Sequence, residues 1–196
     1  MQRLRSLLAV LAFAASFVAF ATPITFIHTG VGSGNLAGAA FNGAGFTITA
    51  TGDTDDRVQD GDVFWIDHLT AQIDIDGLGV LTFVTGTRTF VNQGSEIVGF
   101  SRAGTGGLDL YNGPLDALFG AWDMTTSIGP ILGSSSLLQW LSGPVTTSGG
   151  VLAFDNAQTR GTFQAIVGRQ VPEPGTLVLA AVGVLALGLA RRRRAD

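Results

Sequence analysis

The sequence predicts an all-β fold: one β-sandwich domain, jelly-roll-like, flanked by an N-terminal signal-peptide helix and a C-terminal membrane helix. Three observations predict it. Short stretches alternate apolar and polar residues with the period of a half-buried strand, as at 46–51 and 71–76. Clusters of Gly, Asn, Asp and Ser punctuate them, such as Asn112-Gly113-Pro114 and Ser148-Gly149-Gly150. No long helical periodicities lie between the strands, so a wound α/β sheet is excluded.

The elements follow in order. Residues 24–29 form a short β-rich run. Residues 30–45 hold six glycines and read as a long loop. In 71–76, Ile73 and Ile75 face one side and Asp74 and Asp76 the other. Residues 79–85 and 87–92 flank Gly86 and read as a hairpin or one bulged strand. Strands are then expected at 96–103, 108–111, 119–126, 151–155 and 161–167. A helix is expected at 134–141, with a Ser N-cap and Gly143-Pro144 as its stop, and one more turn at 115–118. Phe64, Trp65, Ile66, Phe83, Phe100, Phe119, Trp122, Phe154 and Phe163 are the core candidates.

A chain of 196 residues fits one domain. It has no Cys, which excludes disulfides, thiolate metal sites and Cys nucleophiles. All 11 basic residues are Arg, and the formal net charge is −4. The ends are basic, so the body is more acidic than that figure. Over 22–170, five arginines against twelve aspartates and Glu96 leave −8. An acidic body excludes nucleic acid as a partner, because that affinity is built on neutralising phosphates.

The motifs that could carry chemistry are weak. Gly32-x-Gly34-x-x-Ala37 has the spacing of a dinucleotide loop, but Gly38, Asn42, Gly43 and Gly45 oppose the helix that loop must open. Gly99-x-Ser101-x-Ala103 has nucleophile-elbow spacing, but Gly104, Gly106 and Gly107 follow where a helix should. His28 and His68 are the only histidines and both precede Ser101. The Asp67-His68 pair would point to opposite faces of a strand. No catalytic residue is assigned, and the chain is read as no enzyme. Asp53, Asp55, Asp56, Asp60 and Asp62 crowd one short segment. A flexible acidic loop can supply calcium with hard oxygens, so these five are the candidate calcium ligands. An EF-hand is excluded, since Arg57, Val58 and Phe64 stand at its fifth, sixth and twelfth positions. No other cofactor is expected.

The two ends read as addresses. Arg3 and Arg5, an apolar run over 7–20 and the Ala19-Phe20-Ala21 site form a secretory signal peptide cleaved after Ala21. At the other end come Pro172-Glu173-Pro174, an apolar stretch at 176–190, and Arg191, Arg192, Arg193 and Arg194. Fifteen helical residues span about 22 Å, and snorkelling arginines extend that toward the roughly 30 Å hydrocarbon core. Arginines at both ends mark the cytoplasmic side, so the body lies outside.

This tail resembles the PEP-CTERM sorting signal of Gram-negative bacteria that make exopolysaccharide. The resemblance implies recognition of Pro172, Glu173 and Pro174 by an exosortase, a membrane cysteine transpeptidase, with Arg191 to Arg194 as the stop-transfer cluster. The expected organisation is a signal peptide at 1–21, a β-sandwich at 22–168, a linker at 169–175, a transmembrane helix at 176–190 and a basic cytoplasmic tail at 191–196. Signal peptidase and exosortase are the expected processing partners. The tail would engage the inner membrane during sorting, before release to the cell surface or outside the cell. The expected function is a non-catalytic structural or adhesive role linked to exopolysaccharide. The alternatives are a calcium-dependent glycan-binding module, with Trp65, Trp122, Trp140 and Tyr111 as stacking faces, and a secreted hydrolase.

Overall fold

Two unusually long strands organise the computed structural model, which describes residues 22–104 and 107–168. Strand β1 (Pro23–Leu36) and β2 (Ala39–Asp53) form one antiparallel hairpin of 14 and 15 residues. Average strands have about 5–6 residues. The inward face of β1 explains its length. Ile24, Phe26, His28, Gly30, Gly32 and Gly34 are buried at every second position. The three glycines leave room for side chains and backbone from other strands. A methyl at Gly30 would strike the Phe46 ring, at Gly32 Leu137 and Phe154, and at Gly34 the Ala153 carbonyl. The glycine-rich stretch expected to be a loop is therefore mostly a strand. Its period of two was carried by absent side chains.

The remaining strands are β3 (Val58–Asp60), β4 (Val63–Asp67), β5 (Thr70–Ile75), β6 (Gly79–Thr82), β7 (Thr87–Asn92), β8 (Ile97–Arg102), β9 (Asp109–Leu115), β10 (Ile128–Leu137), β11 (Val145–Thr147), β12 (Gly150–Phe154) and β13 (Ala157–Val167). All pairings among the described strands are antiparallel, in the order β3-β4-β7-β8-β9-β10-β13-β1-β2-β5-β6. Strand β12 pairs with the end of β1 and with β11. A bridge from Phe83 to Thr147, with Ser148 N–H donating to Thr82 O at 2.8 Å, joins β6 to β11. Strands β1, β2, β5, β6, β11 and β12 thus close into a ring.

The all-β expectation holds, but the jelly-roll sandwich does not. The structure is one continuous sheet curled on itself. A hairpin long enough to run beneath both halves of the core leaves no break at which two sheets could separate. Phe46, Ile48, Ile73, Ile75, Phe100, Tyr111, Trp140 and Phe154 belong to one apolar cluster. Ile24, Phe26, Phe64, Ile66, Phe119, Trp122 and Phe163 belong to the other.

Three further expectations are corrected. Residues 134–141 are not a helix. Ser134, Ser135, Ser136 and Leu137 end β10, which there pairs with β13 on one side and, at Ser136 and Leu137, with β9 on the other. Pairing on both flanks overrides a weak local helix signal. Residues 79–85 and 87–92 form no hairpin, because β6 pairs with β5 while β7 pairs with β4 and β8. Residues 119–126 are not a strand. A 3-10 turn, Ala117–Gly120, opens a segment that inserts Phe119, Trp122 and Met124 into the second cluster. It is tied down by Trp122 Nε1 donating to Thr126 O at 2.8 Å and by the Arg57–Asp123 ion pair at 2.6 Å.

Eight of the nine core candidates are buried; Trp65 is only half-buried and faces outward. The signal peptide, linker, transmembrane helix and basic tail lie outside the described residues. Among the described residues no helix is long and apolar enough to cross a membrane.

Candidate functional site

Alternation on β4 and β7 creates two different environments. Phe64 and Ile66 point into the second cluster, so Val63, Trp65 and Asp67 point out. On β7, Thr89 and Val91 are buried inward, so Arg88, Phe90 and Asn92 point out. Register sets Trp65 opposite Phe90, Asp67 opposite Arg88, and Val63 opposite Asn92. Strand β8 adds Gly99 opposite Phe90 and Ser101 opposite Arg88, and β9 adds Asp109 opposite Ser101.

These outward residues line an open groove of about 310 Å³, with Val63, Trp65, Arg88, Phe90, Asn92, Ser101, Gly104, Gly107 and Asp109 at its walls. Phe90 is buried yet belongs to neither apolar cluster. Its ring covers Gly99, where a Cβ would collide with it. Trp65 stands beside it, with the Arg88 guanidinium carbon 5.4 Å from the ring centroid. Arg88 also donates from Nη2 to Gly104 O at 2.6 Å, and its Nε lies 3.5 Å from Asp67 Oδ1. That last contact balances charge but lacks hydrogen-bond geometry, so Nε is a buried donor without a bonded partner. Asn92 Oδ1 accepts from Ser95 N–H at 3.0 Å. Asn112 Nδ2 donates to Asp109 Oδ2 at 3.2 Å, and its Oδ1, buried beside Gly99, accepts no hydrogen bond.

Ser101 is therefore placed in a cleft, but the histidines are not with it. His28 and His68 meet on the inner side of the sheet, between the two apolar clusters. His28 is fully buried, 4.8 Å from Phe163 and 6.0 Å from Phe100 by ring centroid. His68, at the corner between β4 and β5, stacks on Phe100 at 5.5 Å. Thr89 Oγ1 lies 3.2 Å from His28 Nε2 and 3.0 Å from His68 Nε2, and Thr87 Oγ1 lies 2.9 Å from His68 Nδ1. One hydroxyl proton orders the chain. Thr89 donates to one Nε2 and accepts from the other, so the tautomers of the two rings are linked, and His68 Nδ1 pairs with the Thr87 hydroxyl. This linkage has both rings neutral and leaves His28 Nδ1 without a partner. Burial lowers both pKa values to about 3, and for His68 the nearby His28 adds to the effect.

The outward Asp67 and inward His68 agree with the expectation that neighbouring residues diverge. Thr89→Val tests the seam, because it keeps the volume and removes the shared hydroxyl. Two buried ring nitrogens then lose their partner, which costs about 2 kcal/mol. For a domain of this size that lowers the melting temperature by about 4–8 °C. An unchanged melting temperature at neutral pH would show that the hydroxyl links nothing.

The acidic segment has a local structural use. Asp53 caps a 3-10 turn, Thr54–Asp56, by accepting from Asp55 N–H at 3.0 Å, and it also accepts from Thr22 N–H at 3.1 Å. Asp55 and Asp56 are exposed in that turn, Asp60 ends β3, and Asp62 lies in the β3–β4 turn. Arg57 leaves this group for Asp123. Among the described residues, no three His, Asp or Glu side chains converge to hold a metal ion. Of the four expected stacking faces, Trp122, Trp140 and Tyr111 are buried, and Trp65 alone borders a groove. No motif in the sequence marks Arg88, Phe90, Asn92 or Asp109 as parts of a site. The signal that could have found them was the outward register of β7 against Trp65. It shows only once the partner strands are known.

Residues 170–194 match the family model of the PEP-CTERM protein-sorting motif. This is the segment that carries Pro172, Glu173, Pro174 and the arginine cluster. No curated protein and no solved structure matched the chain.

Proposed function

We propose, for an exported chain that carries a PEP-CTERM sorting motif and so is addressed by exosortase to the cell envelope, a non-catalytic role at the surface or in the surrounding exopolysaccharide. The role is structural or adhesive. One observation carries the non-catalytic part: the two histidines that could serve as a base are hydrogen-bonded to threonines and sealed inside the sheet. Ser101 sits on the opposite side of that sheet and has no imidazole to take its proton. A secreted hydrolase built on Ser101 is disfavoured for the same reason. A domain without cysteines suits exposure outside the cell, since nothing in it depends on redox state.

The processing follows from the same reading. Signal peptidase removes 1–21, and exosortase acts at or beside Pro172-Glu173-Pro174 while the tail is held at the inner membrane. Intact mass of the protein from its own cells, read separately in membrane and extracellular fractions, tests this. The expected extracellular product begins near Thr22, ends near Pro172 to Pro174, and lacks Arg191 to Arg194. A single species that keeps the arginines and stays in the membrane would mean a simple anchor, and the sorting role would fall.

A further inference from the structure

We propose that the groove on the outer face of β4, β7, β8 and β9 is a saccharide-binding site, and that its ligand is an uncharged sugar unit of a polysaccharide. The aromatic surface comes first. Trp65 supplies the half-exposed aromatic face, outside both apolar clusters, and Phe90 lies buried opposite it against Gly99 as part of the floor. A core tryptophan needs no such setting, and Trp122 and Trp140 do not have one. The C–H face of a sugar ring buries well on such a surface, while its hydroxyls need polar groups at the rim.

The rim provides both kinds. Arg88 Nη1 and the Asn92 amide nitrogen are donors without partners among the described residues. Asp109, in the groove wall, keeps one carboxylate oxygen free as the acceptor. Hydroxyls can serve all of these, since each donates and accepts. A groove of about 310 Å³ lies at the small end of the usual range for ligand sites, about 300–1,000 Å³.

Charge narrows the class. Asp67 already balances Arg88, and Asp109 adds a negative charge to the wall. A uronate or sulfated sugar would face Asp109 and a strongly acidic body, whereas a neutral sugar meets no net repulsion. A peptide strand is disfavoured, because β4, β7 and β8 are each paired on both sides and offer no open edge.

The test uses mature protein purified from its own cells, run in native gels containing β-1,4-glucan, galactomannan or alginate. Retardation in a neutral gel is expected, with Trp65→Ala weakening binding at least tenfold and Trp65→Phe recovering much of it. Trp65 lies outside both clusters, so the Ala variant should melt close to the parent. Should it fail to fold, acrylamide quenching of the parent decides. Trp65 is the accessible tryptophan, and the retarding polysaccharide must protect it. Four outcomes overturn the proposal: no retardation by either neutral polymer, retardation by alginate alone, a folded Trp65→Ala that binds like the parent, or no protection from quenching. The readout is taken on purified protein, so it stands or falls independently of the sorting pathway.

Discussion

Mild acid will strongly destabilise this domain. Its urea midpoint is expected to hold steady above about pH 7 and to fall continuously as pH drops from 6.5 toward 3. The cause is the neutral histidine seam. Each ring has a folded pKa of about 3 against 6.5 in the unfolded chain, chiefly because burial excludes the charged form. Between those values the unfolded chain binds protons that the folded one refuses. The stabilisation is therefore complete above about 6.5 and is lost as pH falls. Each such group gives a slope of about 1.4 kcal/mol per pH unit. His68 is less deeply buried than His28, so its share is the smaller. Together they remove about 3–5 kcal/mol by pH 4.5, a large part of the roughly 5–15 kcal/mol that holds a typical domain. His28→Leu should reduce the slope by about half, even though its neutral-pH midpoint is lower. A parent midpoint that stays flat from pH 7 to 4.5 would refute the assignment of both rings as neutral.

Gly34→Ala will destabilise more than any conservative change on the surface. A methyl there meets the Ala153 carbonyl of β12, which is backbone and cannot rotate away. The strands must part just where β12 joins β1 to close the ring. Overpacking typically costs about 1–3 kcal/mol, and a rigid obstacle places this site at the upper end. Gly86→Ala is the control, since a methyl there meets only Ala103 Cβ at an ordinary 3.6 Å. Chemical denaturation of the two variants should separate them by about 2 kcal/mol or more. Equal midpoints would mean that β1 and β12 do not approach as described.

That glycine also shows where the sequence was readable and where it was not. The class was legible because β5 writes its environment in side chains: Ala71, Ile73 and Ile75 in, Gln72 and Asp74 out. In the second half of β1 the inward positions are glycines, so the same alternation carries no hydrophobic signal. The stretch has the signature of a loop, and the length of the hairpin is hidden with it. Without that length, a two-sheet sandwich was the natural reading. The tail was the most legible part, because three unlike features stand there in order, and the sorting-motif match covers the same residues. The groove was the least legible. Trp65 follows Phe64 and precedes Ile66, so it read as core. Only its pairing with Phe90 across β7 shows that it faces outward.

The closed ring bears on how copies of this protein can associate. A sheet grows by adding strands at its ends, and crowded exported β-proteins polymerise that way when an end is long and bare. Here β6, at one end of the order, is already covered by β11. The other end is β3, three exposed residues closed by Asp60. Three residues are too few to seed an ordered addition, and the carboxylate disfavours a second acidic copy. Among the described residues, adding strands at these two ends is therefore disfavoured, and copies held together there would be joined through side chains or a shared polymer rather than by lengthening the sheet.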